Sequence, residues 1–154
     1  MITRVAEPVA RVPDERQMAA WRAFLRAHAR INRCLEAELI AAHGMSLASY
    51  DVLVQLAESS TRQLRMAELA DAVLLSRSGV TRLVDRLEKA GLVLRERVAD
   101  DGRGVVATIT DAGIDNLRTA ARIHLPGVVR HFVEPLEADE LAALSTVCGK
   151  LLDS

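Results

Sequence analysis

Between Ser76 and Arg82 the chain reads SRSGVTR, a run dense in groups suited to polar recognition. Arg77 and Arg82 carry planar guanidiniums that pair in a two-pronged fashion with a carboxylate, a phosphate or the edge of guanine. Ser76, Ser78 and Thr81 add hydroxyls that donate and accept, and the Thr methyl adds a small apolar contact. On the other side, Val80, Leu83, Val84 and Leu87 recur at steps of three and four. That spacing predicts an amphipathic helix from Ser76, its cap, to Ala90, with Gly91 just past the end. Arg86 extends the polar side, while Asp85, Glu88 and Lys89 read as surface or intrahelical ion-pair residues. Taken alone, such a polar side is a solvated face.

The neighbouring elements change that reading. MAELADAV, residues 66–73, is a short helix, and Leu74-Leu75-Ser76 is a tight turn. After the second helix the period becomes β-like over Leu92–Val98 and again over Val105–Ile109. Asp100-Asp101-Gly102-Arg103-Gly104 lies between them, so the two runs form a hairpin with Arg103 at its apex. Short helix, turn, helix and hairpin make a winged helix-turn-helix. In that arrangement the second helix enters the DNA major groove, with its first turns at base edges. The expected contacts are Ser76, Arg77, Ser78, Thr81 and Arg82, flanked by Arg86. On the wing they are Arg97, Asp101 and Arg103. Arg103 suits a minor groove, whose negative potential attracts arginine, and Asp101 is placed to hold Arg103 or Arg97. Gly79 costs about 1 kcal/mol relative to Ala within a helix. Its presence implies a close approach, by the preceding helix or by DNA.

The rest of the chain reads as helix. Trp21, Phe24, Leu25, His28, Ile31, Leu35 and Leu39 mark a long helix over residues 14–43, capped by Asp14 and stopped at Gly44. Ser46 caps a helix over 47–58, and residues 58–62 form a polar loop. Thr110 starts a helix through Phe132 that Pro126 should kink or divide. A last helix covers 137–152. The fold class is therefore mainly α with a small β-hairpin wing: a winged helix-turn-helix DNA-binding lobe plus a helical dimerisation lobe. The first helix is too long for a small domain unless a partner subunit packs on it.

Composition narrows the partners. Half of the 154 residues are hydrophobic, so a sizeable core is possible, but aromatic residues are only 3%. Net charge is −1, so a nucleic-acid surface has to be a local patch. Even from 76 to 103 there are seven Lys/Arg against five Asp/Glu, so arginines must be aimed rather than massed. The opening residues have no apolar signal-like run, and no stretch approaches the ~18–20 apolar residues of a membrane span. The expectation is a cytoplasmic protein.

SRSGVTRLVDRLEKAGLVLRERVADDGRGVVATITDAG, following LRMAELADAV, resembles the MarR family of transcriptional regulators. The match covers about residues 46–113, and the flanking helices fit in order and length. The resemblance implies a homodimer built by regions 14–43 and 114–152. It also implies a DNA-binding region, 46–113, that grips a pseudo-palindromic double-stranded operator. Family members are usually repressors, and many release DNA when a small, often aromatic or phenolic, effector binds between the lobes. One departure is that family wings often carry two adjacent arginines, whereas Gly104 follows Arg103 here.

Other readings carry less. An effector pocket would draw on Trp21, Phe24, His28 and Tyr50 as apolar walls, with Arg22 or Arg26 for a carboxylate. His124 and His131, seven apart, lack the neighbours that complete a metal site, although some relatives sense zinc. Cys34 lies late in its helix, unlike the reactive cysteine of the redox-responsive branch, and reads as a packed thiol, as does Cys148. No motif calls for a cofactor, and no Ser/His/Asp, Walker or paired-carboxylate set supports an enzyme. A winged helix used for protein contact is the alternative class, and Arg77, Arg82 and Arg103 argue against it.

Overall fold

The structure, a computed structural model, describes residues 11–73, 75–97 and 104–153. The chain runs α1 (Glu15–His43), α2 (Leu47–Glu58), β1 (Gln63–Arg65), α3 (Met66–Ala72), α4 (Arg77–Lys89), β2 (Val93–Arg97), β3 (Val105–Ile109), α5 (Asp111–Val128) and α6 (Ala138–Leu152). A five-residue π-helical turn, Val129–Val133, continues α5. Among the described residues no single helix is long and apolar enough to cross a membrane.

Helix starts follow their capping residues. Asp14 Oδ1 accepts from Gln17 N at 2.8 Å, and Gln17 Oε1 accepts from Asp14 N at 2.9 Å, a reciprocal capping box. Ser46 and Ser76 cap α2 and α4 with a single bond each, accepting from Ser49 N and Gly79 N. Gly44 and Gly91 take left-handed φ values of 70° and 74°, a conformation that suits glycine at these helix ends.

The sheet has one strand more than the expected hairpin. β3 is central, paired antiparallel with β2 from Val93↔Ile109 to Arg97↔Val105 and with β1 from Gln63↔Thr108 to Arg65↔Val106. At three residues, β1 is too short to show a period of two. The core lies between this sheet, the C-terminal part of α1 and α2–α5. Its fully buried side chains include Leu39, Leu53, Leu56, Leu69, Val80, Val84 and Val93. α2 buries more of its circumference than one stripe would: Val52 and Leu56 are buried as well as Tyr50 and Leu53.

Two helices behave differently from their apolar patterns. Only Leu35 and Leu39 are buried on α1, and no residue of α6 is buried. Their upstream and downstream stripes, including Trp21, Phe24 and Val147, face outward from this chain. Pro126 does not divide the helix. α5 passes through it to Val128, and the ladder widens only afterwards, with Glu134 N donating to Val129 O at 2.8 Å.

The start of α5 is locked onto the end of α4. Thr110 Oγ1 donates to Gly91 O at 2.8 Å and accepts from Gly113 N at 3.0 Å. Thr110 N donates to Leu92 O at 3.0 Å. A Cβ on Gly113 would lie 2.2 Å from Leu92 O and 2.7 Å from Ile109 Cγ1, so only glycine fits this crossing. Gly113→Ala should therefore destabilise the protein by about 1–3 kcal/mol, the usual cost of overpacking. Urea unfolding would check this, and an unchanged midpoint would refute the tight crossing.

Candidate nucleic-acid interface

α4 is fixed by its apolar side. Val80, Leu83, Val84 and Leu87 are all at most 5% exposed. Ser76, Arg77, Ser78, Thr81, Arg82 and Arg86 are all exposed, on the side of α4 away from its apolar stripe. Arg97 is exposed at the end of β2, opposite Val105. Asp101 and Arg103 lie outside the described residues, as do Asp100 and Gly102.

Hydrogen bonds limit what each hydroxyl can offer. Ser76 Oγ accepts from Gly79 N at 3.1 Å and lies 3.3 Å from Ser78 Oγ. Thr81 Oγ1 donates to Arg77 O at 2.9 Å, so its proton is already used. Thr81 then presents lone pairs and a methyl, the pattern that meets a base amino group or a thymine methyl. Arg82 Nε leans back on Ser78 O at 3.4 Å, which leaves the outer guanidinium nitrogens pointing onward. Gly79 serves the cap: a Cβ there would sit 3.2 Å from Ser76 Oγ and 3.9 Å from Leu75 Cβ. Within this chain its close approach is to the turn, not to α3.

The basic residues of α4 divide between two flanks. Arg82, Arg86 and Lys89 border an open hollow of about 710 Å³ toward Ala48 of α2 and Leu75. Arg77 and Thr81 face a cleft of about 490 Å³ shared with Arg65, Arg95 and Gly104. The sequence pattern gave no sign of Arg65, because its place depends on β1.

The hairpin is pinned to α4 through Arg95. Arg95 Nη1 lies 2.6 Å from Asp85 Oδ1, and Arg95 Nη2 lies 2.6 Å from Glu88 Oε2. Arg95 N also donates to Glu88 Oε1 at 3.1 Å. Asp85 and Glu88 are thus ion-pair residues between elements, rather than within the helix. The hydrogen bonds from the Arg95 side chain hold the Glu88 carboxyl below its ordinary value, against a smaller opposing effect of desolvation.

The residues considered for an effector fall in two places. Trp21, Phe24 and His28 stack along α1, with ring centroids 6.2 and 6.3 Å apart, and Arg22 and Arg26 are exposed on the same helix. Tyr50 is buried and packs on His124, centroids 4.4 Å apart. His124 Nδ1 is buried without a hydrogen-bond partner, and burial pushes the ring below the usual His range. His131 instead pairs with Glu38 at 2.7 Å, beside Arg130 on the same carboxylate. Among the described residues no group of three or more His, Cys, Asp or Glu is arranged to hold a metal ion.

Comparison with known proteins places this geometry. The MarR family matches residues 43–104. The regulator YkoM of Bacillus subtilis (strain 168), described as an uncharacterized HTH-type transcriptional regulator, is 30% identical over 137 residues, covering 88% of this chain and 87% of YkoM. The chain belongs to the MarR family of transcriptional regulators. Two MarR-family structures from Streptomyces coelicolor share its fold closely. Sco3205, solved in complex with DNA, has a TM-score of 0.86 and 33% identity over 96% of this chain and 91% of its own. AbsC has a TM-score of 0.83 and 30% identity over 94% and 97%. This MarR-family chain is a DNA-binding regulator, and its family is not an enzymatic one.

For this MarR-family protein, the Arg95 clamp has a pH signature. A carboxylate whose folded value is lowered stabilises the fold above its ordinary range near 4.5, and that contribution is lost as pH falls through the folded value. Glu88→Gln should lower stability at neutral pH, and the gap to wild type should close under acid. A gap constant with pH in thermal unfolding would contradict the clamp.

Proposed function

We propose that this regulator binds a pseudo-palindromic operator as a homodimer and represses the adjoining genes until a small aromatic or phenolic acid releases it. The observation that carries operator reading is the exposed flank of α4. Ser78, Thr81 and Arg82 project from a helix whose other side is fully committed to the core. A major groove about 12 Å wide admits such a helix, and one bidentate pair discriminates bases by about 1–3 kcal/mol. The DNA complex of its relative Sco3205 supports the same use of the lobe. Regions 46–113 and 14–43 with 114–152 would divide the labour between DNA and dimer. On the wing, Arg103 would reach the adjacent minor groove, with Asp101 holding Arg103 or Arg97 in place. Such a protein works in the cytoplasm, where bacterial operators are.

Dimerisation is supported by the apolar faces left open. Phe24 is 46% exposed, Leu125 57% and Val147 53%, on α1, α5 and α6, apolar surface that a second copy could cover. A two-fold pair places its recognition helices about one turn of duplex apart. The effector reading is supported by the Trp21–Phe24–His28 ladder, whose open side, with Arg22 and Arg26 nearby, suits a ring and a carboxylate.

Footprinting on the DNA upstream of the protein's own gene tests operator reading. Arg82→Ala should weaken operator binding about 5–150-fold, the equivalent of 1–3 kcal/mol, and relax base preference. Arg103→Ala should weaken it through the wing. Wild-type footprints from both variants would remove the assignment. Val147→Glu should shift the species seen by light scattering from dimer to monomer and abolish operator binding at low protein concentration. A dimer that survives would place the interface elsewhere.

A further inference from the structure

Two anchor points tie α5 to the DNA-binding lobe. The first is the crossing at Thr110 and Gly113, beside the end of α4. The second lies about three turns further along α5. There His124 meets Tyr50 of α2, with ring centroids 4.4 Å apart and planes inclined by 39°. Tyr50 is 7% exposed and belongs to the core that α2 shares with α4. With both anchors made, α5 is held to the lobe at two separate places.

The second anchor carries a titratable ring. His28, His43 and His131 each engage a partner through Nε2: Asn32 at 3.0 Å, Asn116 at 3.1 Å and Glu38 at 2.7 Å. His124 Nδ1 is different. Among the described residues it is the one buried side-chain polar atom without a hydrogen-bond partner. In the neutral ring Nδ1 can stand as an idle acceptor. In the imidazolium both nitrogens carry protons, so Nδ1–H becomes a buried donor with nothing to receive it. From α2, Tyr50 and Asp51 face the ring, and Asp51 is exposed. From α1, Glu36 is bonded to Leu47 N, and Glu38 to Arg130 and His131. Burial pushes the His124 ring below the usual His range, and Asp51 opposes this to a smaller extent.

We propose that His124 is a proton-operated latch on operator binding. The neutral ring, stacked on Tyr50, holds α5 to α2. Protonation drives the ring outward, toward Asp51 and water, and leaves α5 free to rotate about Thr110 and Gly113. A loosened lobe is competent for DNA only part of the time, and its apparent affinity falls by that fraction. The released ring takes its proton near the ordinary value of 6.5 and the stacked ring only below it. The latch is therefore closed above 6.5 and opens as pH falls below it. The proposal rests on the reading of this chain as a dimer that grips an operator.

The test compares full-length wild type with His124→Phe from about pH 8 to about pH 5, the span of histidine titration. The variant keeps an aromatic ring against Tyr50 and takes no proton. In fluorescence anisotropy with the upstream duplex, wild-type affinity should fall below pH 6.5 by up to about tenfold per pH unit for each protomer's proton. His124→Phe should match wild type at neutral pH and lack that fall. Equal pH dependence in the two proteins overturns the latch. NMR of wild type without DNA follows the ring resonances of His124 and Tyr50, which should move together at a midpoint below 6.5. A His124 ring that titrates at its ordinary value while Tyr50 stays unmoved overturns the latch, even where the variant fails to fold. Wild type that binds the upstream duplex no better than a random one would instead overturn the operator reading, and the ring titration alone then decides whether the latch exists.

Discussion

Burial of Val80, Leu83, Val84 and Leu87 fixes the direction in which α4 faces, and every guanidinium on that helix is aimed as a result. Each of these side chains contributes about 1.5–3 kcal/mol when fully removed from water. Rotating the helix by one residue would expose part of that stripe and press Arg77 or Arg82 toward Leu53, Leu69 and Val93. An unpaired charge in such surroundings costs far more than a surface contact returns. The polar flank is therefore rigid for reasons unrelated to its polarity.

A second constraint sets the hairpin against that helix. Arg95 is gripped by carboxylates one helical turn apart, Asp85 and Glu88, so β2 cannot slide along α4 without breaking two ion pairs and a main-chain hydrogen bond. The grip also uses up charge. The three charges, one guanidinium and two carboxylates, leave a net −1 there, and the cations that remain are spread over several elements. This is how a chain of net charge −1 presents exposed arginines on α4: two of the acids beside them are spent on holding Arg95.

Much of this was legible in the sequence. Caps at Asp14, Ser46, Ser76 and Thr110 and glycines at 44 and 91 bounded the helices closely, because each acts on its own neighbours within a few residues. The apolar stripe of α4 was equally plain. β1 was not, since three residues show no period and pairing with β3 is a contact between distant parts of the chain. Arg65 was hidden with it. Asp85 and Glu88 looked like surface residues because their partner stands across the Gly91 turn, outside any helical spacing. Pro126 read as a break, yet the backbone absorbs it and widens three residues later. The stripes of α1 and α6 were visible as patterns, but a pattern says only that a face is apolar, not which chain covers it.

Thr110 and Gly113 join the end of α4 to the beginning of α5 through one hydroxyl and a backbone contact too close for any side chain. At 18 residues, α5 is about 27 Å long. It is thus a lever with its short arm bolted to the recognition helix. A small sideways displacement near Val128 becomes an angular change at Gly91, and the arginines swing with it. The exposed arginine flank of α4 is thus coupled to the far end of α5 through Thr110 and Gly113.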